Sequence, residues 1–347
     1  MEVIQLNLNH CETAQHLLCQ IVGEMKCDVA IIADPYRIPS TNENWIGDKS
    51  KTTAIWAAGQ YPIQEVVSAS QEGYVIVKIN GVFFCGCYAP PSWSRDQFNT
   101  MLDRLSDELT GRSPIVVAGD FNAWATEWGS RCTNTRGWSL LEALARLNVD
   151  LANVGNASTF RKNGSESIID VTFCSPSLGS NLGWRVDEGY TNSDHQAVRY
   201  HIGGRTQRAT RPVPRNELGW KMEHFNRGVF VEALRWDYQQ SNLNSNELMG
   251  VLTRACDAAI PRKALPRNGR PPVYWWNETI ANLRAACLRA RRRMQRSRTE
   301  TLREERREVY RLARDNLGKE IKKSKRACFQ KLCSEANTTP WSDAYRI

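Results

Sequence analysis

The sequence predicts an α/β fold in which two packed β-sheets are flanked by helices and followed by a basic helical extension. Short apolar runs of strand length, separated by Gly, Pro and polar turns, recur through residues 1–203. Segments with the apolar spacing of amphipathic helices lie between these runs. From about residue 273 the apolar runs give way to long, polar, arginine-rich segments that also have helical spacing.

The first half of the front region alternates between strand and helix patterns. Residues 2–8 and 28–34 are apolar runs of strand length, and residues 13–25 between them form an amphipathic helix pattern. Several β-rich runs, broken by Gly and Pro, follow up to residue 90.

The second half continues in the same manner, and its strand patterns are again short. The predicted elements are an amphipathic helix over 94–111 with Ser94 as N-cap, a buried strand over 114–122, a helix over 136–148, two strands over 158–175 turning at Asn163-Gly164, and a closing run over 183–202.

Charge is distributed unevenly along the chain. Residues 1–203 carry 15 Lys and Arg against 22 Asp and Glu, whereas residues 261–335 carry 22 against 8, and the net charge is +9. This asymmetry predicts a polyanionic partner for the back segment, namely DNA, with RNA as a second candidate. A solvated charged helix is the alternative reading of the same residues.

Cysteine usage and the start of the chain indicate the cellular setting. The eleven cysteines include no CxxC pair or zinc-finger spacing, which predicts reduced thiols in a nuclear or cytoplasmic protein. Polar and charged residues among the first twenty do not fit a signal peptide. Without any run of 18 apolar residues, neither a membrane span nor a membrane partner is expected, and no small-molecule cofactor is predicted.

Polar side chains stand at the ends of several apolar runs. Carboxylates at strand ends converge on one sheet edge, where hard cations bind oxygen ligands. A phosphodiester is anionic and resists attack, so its hydrolysis needs a divalent cation and a base that activates water. The candidate residues are Asn7, Asn9, Asp34, Tyr88, Asp120, Asn122, Asp170, Asp194 and His195.

Each of these signals has an ordinary structural explanation when taken alone, such as a turn, a helix cap or a core histidine. Their order along the chain is more specific: N-x-N, a strand-end carboxylate, YAPP, GDFNA, IIDVTF and SDH. This ordered set resembles the endonuclease/exonuclease/phosphatase superfamily over residues 1–203. The resemblance implies a four-layered α/β/β/α sandwich.

The resemblance also implies catalytic roles for the matching residues. Asp120 would orient or deprotonate the attacking water, and Asn7 would position Asp120. Asn122 would donate a hydrogen bond to a phosphate oxygen, and Tyr88 would contact the scissile phosphate.

Two further groups of roles follow from the same resemblance. His195 would bind a non-bridging oxygen while Asp170 holds its imidazole. Asp34, Asn9 and Asp194 would lie at the metal, which is expected to be Mg²⁺, with Mn²⁺ as the alternative.

Two positions depart from the family pattern. Asp34 stands where the family usually has Glu, and Asn9 stands where relatives often have Asp. The shorter side chain and the lost charge both weaken the expected metal affinity. A catalytically weakened or inactive nucleic-acid-binding relic is therefore an alternative to an active enzyme.

The back segment carries a resemblance of its own. Tyr274-Trp275-Trp276, the basic helices and the terminal PWSDAYRI resemble the connector that follows the endonuclease in insect non-LTR retrotransposons, before the reverse transcriptase. A thin apolar stripe that includes Val309, Leu312 and Leu317 runs along these helices. The predicted organisation is an endonuclease domain 1–203, a linker 204–272, a basic helical connector 273–336, and the start of a truncated reverse transcriptase region 337–347.

The predicted function is a metal-dependent endonuclease that nicks target DNA for retrotransposition, the freed 3′ hydroxyl priming reverse transcription. The hairpin tip at Arg161, Lys162 and Asn163 is a candidate DNA-contacting loop, or an ordinary solvated tip. Another phosphoesterase of the same fold, acting on a phosphoinositide or nucleotide, is the remaining alternative.

Overall fold

The chain forms two compact units, one from residues 1–204 and 271–347 and the other from residues 205–270. Asn163 and the predicted stretches 204–219 and 339–347 lie outside the described residues. The computed structural model describes residues 1–39, 42–162, 164–179, 182–203, 220, 222–237, 245–261, 272–297 and 299–338.

One six-stranded sheet contains β1 (Glu2–Asn7), β2 (Val29–Ala33), β3 (Trp45–Gly47), β4 (Thr53–Ala57), β13 (Arg185–Asp187) and β14 (Ala197–His201). Its strand order is β13-β14-β1-β2-β4-β3. The pair β1–β2 is parallel because the helix α1 (Glu12–Met25) carries the chain back between them. The other pairs are antiparallel.

The second six-stranded sheet contains β5 (Ile63–Ser68), β6 (Tyr74–Ile79), β7 (Val82–Tyr88), β8 (Ile115–Asp120), β9 (Asp150–Leu151) and β12 (Asp170–Cys174). Its order is β5-β6-β7-β8-β12-β9. The pair β7–β8 is parallel and is joined through helix α2 (Arg95–Leu109). The helix α3 (Thr135–Ala145) lies between β8 and β9, and the hairpin β10 (Phe160–Lys162) and β11 (Ser165–Ser167) forms a separate ribbon.

Several helices, including α2 and α3, begin at side chains that accept a backbone N–H, as the sequence predicts for α2. Ser94 Oγ accepts from the N–H of Gln97 at 3.2 Å, and the Gln97 side chain accepts from the N–H of Ser94 at 2.9 Å, which completes a capping box for α2. Asn134 Oδ1 accepts from the N–H of Gly137 at 2.8 Å and caps α3.

Three hydrophobic clusters define four layers. One cluster fills the space between the sheets, with Val29 and Ile31 from the first sheet and Val77 and Phe84 from the second. A second packs α2 and α3 on the outer face of the second sheet, and a third packs α1 on the outer face of the first. The α/β/β/α sandwich predicted from the sequence is confirmed.

The second unit contains α4 (Arg227–Asp237) and α5 (Ser245–Ala259). The N–H of Asn226 donates to the carbonyl of Ala259 at 3.0 Å, and Trp220 Nε1 donates to Asp257 Oδ1 at 2.8 Å. The prediction of a linker over 204–272 missed these helices, because a Gly-, Pro- and Arg-rich start masked the amphipathic spacing that follows.

The basic segment forms two long helices, α6 (Glu278–Gln295) and α7 (Glu300–Thr338). Their buried residues Ile280, Cys287, Leu317 and Ile321 belong to the same hydrophobic cluster as α1. They are thus a layer of the front domain as well as a basic extension of it. None of the described helices has the length and apolarity needed to cross a bilayer.

Two sequence expectations are corrected in detail. The run 158–175 forms three strands, not two, because the chain leaves the hairpin at β11 and enters the main sheet at Asp170 as β12. Of the predicted apolar stripe, Leu317 is fully buried whereas Val309 is 59% exposed and Leu312 is 49% exposed. The buried stripe is narrower than predicted, because Leu317 and Ile321 are the residues of α7 that are buried in the hydrophobic cluster shared with α1. Short 3₁₀-helices lie at Thr126–Trp128, Pro176–Leu178 and Met222–His224.

Candidate active site

Strand ends from both sheets bring the predicted polar residues to one edge of the sandwich. Asn7 ends β1, and Asp34 directly follows its parallel neighbour β2. Tyr88 and Asp120 end the parallel pair β7 and β8 and face each other in register. Asp170 begins the antiparallel strand β12 and lies opposite Asp120. The arrangement follows from the topology, since the carboxyl ends of parallel strands meet at the same edge.

Asp120 is buried at the centre of this edge. Its Oδ2 accepts a hydrogen bond from Asn7 Nδ2 at 2.8 Å, and its Oδ1 accepts from the backbone N–H of Asn122 at 3.0 Å. Burial and the neighbouring charge of Asp170 raise the pKa of Asp120 to about 7, although the charge of His195 lowers it. The carboxyl group therefore titrates close to neutral pH.

His195 is buried between two carboxylates. Its Nδ1 lies 2.8 Å from Asp170 Oδ2, and its Nε2 lies 3.7 Å from Asp120 Oδ2. The ring also packs against the edge of Phe160 at 5.0 Å between centroids. Burial alone would lower the pKa of His195, but the charges of Asp170 and Asp120 raise it to about 9. The imidazole is therefore held as a cation at neutral pH.

Hydroxyl groups that the sequence reading did not select hold these side chains in place. Ser193 Oγ donates to the carbonyl of Asn7 at 2.7 Å and accepts from the N–H of His195 at 3.1 Å. Thr159 Oγ1 accepts from the N–H of Asp170 at 3.1 Å. Ser193 is the first residue of the SDH motif, and that position could have identified it. The Thr159 contact joins residues eleven apart across a strand turn and has no sequence signal.

Gln5 is a second residue that sequence reading missed. Its Nε2 donates to the carbonyl of Gly119 at 3.1 Å, and its Oε1 accepts from Thr172 Oγ1 at 2.9 Å, so it joins the two sheets beneath the site. It lies two residues before Asn7 and so faces the same side of β1. Gly119 itself permits close approach, because a Cβ there would lie 1.9 Å from the carbonyl oxygen of Cys87.

Arg136 of α3 braces the two loops that follow β7 and β8. Its guanidinium donates to the carbonyls of Pro90 and Trp93 at 2.9 and 2.8 Å, and more weakly to those of Ala89 and Phe121 at 3.4 Å each. The side chain thereby fixes the loops that carry YAPP and GDFNA. Nothing in its local sequence pattern indicated this role.

The residues predicted at the metal lie at the rim of the site. Asp34 Oδ1 is 3.7 Å from His10 Nδ1. Asn9 Nδ2 donates to Asp194 Oδ2 at 3.1 Å, and Lys162 Nζ lies 2.9 Å from that same oxygen. Asn9 and Asp34 have left-handed backbone with φ of 48° and 44°, a conformation that Asn and Asp tolerate better than most residues.

The side chains at this edge suit a divalent cation. Ligand atoms of Asp120, Asp170 and His195 all lie within 4.8 Å of one another, so this buried group could hold a metal when the imidazole is neutral. Burial raises the pKa of the Tyr88 hydroxyl, and the charges of Asp34 and Asp120 raise it further. Both carboxylates therefore act on Tyr88 across the same edge. A donor set made mostly of carboxylate and amide oxygens fits a hard cation such as Mg²⁺ or Mn²⁺.

Comparison with known proteins gives one family match and several matches of fold. Residues 82–199 match the family described as Endonuclease-reverse transcriptase. No curated protein matches the chain significantly. The endonuclease domain of TRAS1, a telomere-specific non-LTR retrotransposon, has a similar structure, with 24% identity and a TM-score of 0.50 over 58% of this chain and 97% of that domain.

Two further solved structures are more distant. A 3′ phosphatase, NExo, from Neisseria, bound to a product DNA hairpin, has 16% identity and a TM-score of 0.46, covering 58% of this chain and 99% of its own. An AP endonuclease from Archaeoglobus fulgidus has 14% identity and a TM-score of 0.45, with the same coverage.

Proposed function

We propose that this chain, whose residues 1–203 have the endonuclease/exonuclease/phosphatase fold, is a divalent-metal-dependent endonuclease that hydrolyses DNA phosphodiester bonds. The superfamily predicted from the motifs is supported by the family match over residues 82–199 and by the similar fold. The observation that supports the activity is the buried group of Asp120, Asp170 and His195, in which a carboxylate titrating near neutral pH lies 3.7 Å from an imidazole kept cationic.

In the proposed reaction a water oxygen attacks phosphorus and the P–O3′ bond breaks. Asp120, held by the Asn7 amide, orients that water and accepts its proton, a task suited to a pKa of about 7. His195, whose cationic form Asp170 stabilises, offsets the negative charge that develops on the non-bridging oxygens. The Asn122 amide donates to a phosphate oxygen.

The remaining predicted residues complete the proposal. Tyr88 contacts the scissile phosphate through its hydroxyl, which stays protonated because burial and nearby carboxylates raise its pKa. Asp34, Asn9 and Asp194 would hold the divalent cation, whose chemistry is to neutralise phosphate charge and stabilise the leaving oxygen. We propose Mg²⁺ for this site, with Mn²⁺ as the substitute.

The biological setting that we propose is target nicking by a non-LTR retrotransposon. It is supported by the family description, Endonuclease-reverse transcriptase, and by the motifs of the back segment. A 3′ hydroxyl released at the nick is the group that a reverse transcriptase can extend.

The test is nicking of supercoiled plasmid by the full chain with Mg²⁺ and with EDTA. Asp120→Asn and His195→Gln should each lower the rate by about 10²–10⁴-fold. Asp150→Asn, an exposed carboxylate at the far end of the same sheet, is the matched control and should nick like the wild type. An inositol phosphate or a nucleotide hydrolysed faster than DNA would instead favour another phosphoesterase of this fold.

The inactive relic is a second candidate, favoured by one observation. Lys162 Nζ and Asn9 Nδ2 both lie on Asp194 Oδ2, at 2.9 and 3.1 Å, where they compete with a cation for that oxygen. If the wild type, Asp120→Asn and His195→Gln are equally inert in Mg²⁺ and Mn²⁺ while all three bind DNA, the chain is a binding protein.

A further inference from the structure

We propose that Arg161, Gln196 and Arg291 form a pocket that binds a backbone phosphate of the nucleic acid strand, beside the scissile bond. The pocket joins the hairpin strand β10 to the basic helix α6, two parts of the same compact unit. The inference rests on the proposed function for its substrate class, and adds a binding site contributed by the helical extension.

The pocket is a cavity of about 220 Å³ between β10, the residue after His195, and α6. Three nitrogen donors in its wall are buried and have no hydrogen-bond partner among the described residues: Arg161 Nε, Gln196 Nε2 and Arg291 Nη1. A buried N–H group without an acceptor is costly. Three of them around one cavity indicate that an acceptor belongs there.

Arg291 is the most informative of the three. Only 6% of the residue is exposed, and burial lowers the pKa of its guanidinium, although the nearby Tyr310 and Tyr190 partly oppose this. An arginine that served the fold would pair with a carboxylate, because burying an unpaired charge costs several kcal/mol. A phosphate is the ligand that matches the planar donor fork of arginine.

The carboxylates in the wall leave the pocket positive. Glu188 is paired with Arg292 at 3.1 Å. Glu166 Oε1 lies 3.5 Å from Arg161 Nε, and its other oxygen accepts from Ser158 Oγ at 3.0 Å. Neither carboxylate bonds to Arg291, so the pocket has a free cationic donor for an anion.

The pocket continues towards the active edge. A larger cleft of about 700 Å³ shares Arg161 and Arg291 with it and extends to Asn9 and Asp194. The N–H of Arg161 donates to the carbonyl of Asp194 at 2.9 Å, and β10 bridges to His195. A strand lying in this cleft could place one phosphate at His195 and another in the pocket. A free phosphate would offer the same chemistry, and the experiment separates the two.

The experiment measures binding of the full chain to a DNA duplex in EDTA, so that binding is read without cleavage, as a function of salt. Arg291→Met and Arg161→Gln should each lower affinity about tenfold and reduce the salt slope by about one. Arg326→Met, which removes the same charge from an exposed position of α7 outside both cavities, is the matched control and should stay within twofold of the wild type.

Thermal unfolding distinguishes a phosphate-binding Arg291 from one that only stabilises the fold, because replacing Arg291 should shift the unfolding midpoint in opposite directions in the two cases. Arg291→Met should raise the unfolding midpoint by about 2–4 °C, because an unpaired buried charge is removed. A lower midpoint, with DNA affinity falling only for Arg291→Met and not for Arg161→Gln, would overturn the proposal and assign Arg291 to the fold.

Inorganic phosphate, compared with chloride at equal ionic strength, distinguishes the source of the anion. If phosphate raises the midpoint of the wild type while both variants bind DNA normally, the pocket takes a free anion and the assignment to a strand is wrong. If phosphate has no effect and both variants bind DNA normally, no phosphate site exists. A chain that binds DNA through the pocket but does not nick would refute the proposed activity and leave this site intact.

Discussion

Asp120 and Asp170 lie opposite each other on neighbouring strands, both almost fully buried, with one imidazole close to both. The imidazolium of His195 can compensate only one of the two negative charges. The second charge is tolerated through hydrogen bonds, since Asp120 accepts from Asn7 and from the N–H of Asn122. Burying the Asp120 carboxylate therefore lowers the stability of the fold, and the same burial gives the site a carboxyl group that titrates near neutral pH.

The first prediction concerns the stability that the buried charge of Asp120 costs. Folding raises the pKa of Asp120 from its ordinary 3.8 to about 7. The stability contribution of its protonated form is therefore fully present below pH 3.8 and is lost as the pH rises through about 7. Asp120→Asn should raise the free energy of unfolding at pH 8.5 by on the order of 1–3 kcal/mol while lowering the nicking rate by about 10²–10⁴-fold.

The control for that experiment is pH itself. Thermal or denaturant unfolding at about pH 5.5 should show a much smaller difference between Asp120→Asn and the wild type, because the aspartic acid is then mostly neutral. An advantage of equal size at both pH values would show that the buried negative charge of Asp120 is not what costs stability.

The second prediction concerns the protonated imidazole of His195. Burial disfavours the charged imidazole of His195, and Asp170 is the first of the charges that raise its pKa to about 9. In Asp170→Asn the pKa of His195 should therefore fall towards or below its ordinary value of 6.5. NMR titration of the ring proton, assigned with His195→Gln, measures this directly. Glu2→Gln, which removes the partner of His201 at 2.9 Å, should leave the His195 titration unchanged.

At the scale of the elements, the site is assembled by strand ends and braced by one helix. The parallel pairs β1–β2 and β7–β8 deliver their last residues to the same edge. The loops that follow β7 and β8 are not part of a helix or strand. The guanidinium of Arg136 in α3 donates hydrogen bonds to four of their carbonyl oxygens. One side chain thus limits the freedom of both Tyr88 and Asn122.

The third prediction tests this brace. Arg136→Lys keeps the charge but loses the donor fork, so it should lower the free energy of unfolding by about 1–3 kcal/mol and reduce nicking. Arg146→Lys is the matched control at the end of α3, because its pair with Asp103 at 3.6 Å is largely exposed, and it should cost less than about 0.5 kcal/mol. Equal costs for the two variants would show that the brace is dispensable.

At the scale of the molecule, α6 and α7 cover the apolar outer face of α1. Buried Leu17 and Ile21 of α1 share a cluster with Leu317 and Ile321 of α7. Polar contacts support this packing: Arg284 to Glu24 at 2.9 Å, and Lys322 to Glu12 at 2.9 Å. The basic helices and the candidate active edge therefore belong to one compact unit, which is what brings Arg291 close to the candidate site.

The fourth prediction follows from this shared core. Leu317→Ala should destabilise the entire front domain by about 2–5 kcal/mol in a single unfolding transition, because the cavity opens in the α1 layer. Val309→Ala removes an exposed side chain from the same helix and should change stability by less than about 0.5 kcal/mol. A separate early transition for Leu317→Ala, with the remainder of the domain unchanged, would show instead that the helices dock as an independent piece.

Much of the fold and of the site could be predicted from the sequence, and particular residues show why. The strand patterns that end at Asn7 and Asp120 and the one that begins at Asp170 have polar residues at their boundaries, so their location in the chain and the sheet edge at which they meet were predictable. The split of 158–175 into three strands was not, because hydrophobicity does not record which sheet a strand joins. The contacts of Arg136 and Thr159 depend on residues distant in sequence and were missed.

The sequence by itself determined the residue types of the candidate site, the two-sheet sandwich and the basic charge of the back segment, because each is recorded as a local pattern. Only the tertiary structure decided that the back segment covers α1, and that Arg291 Nη1 is buried beside the hairpin with no hydrogen-bond partner among the described residues. It also decided which side of α7 is buried. These features depend on what packs against each surface, and packing is a property of the folded chain that no local pattern encodes.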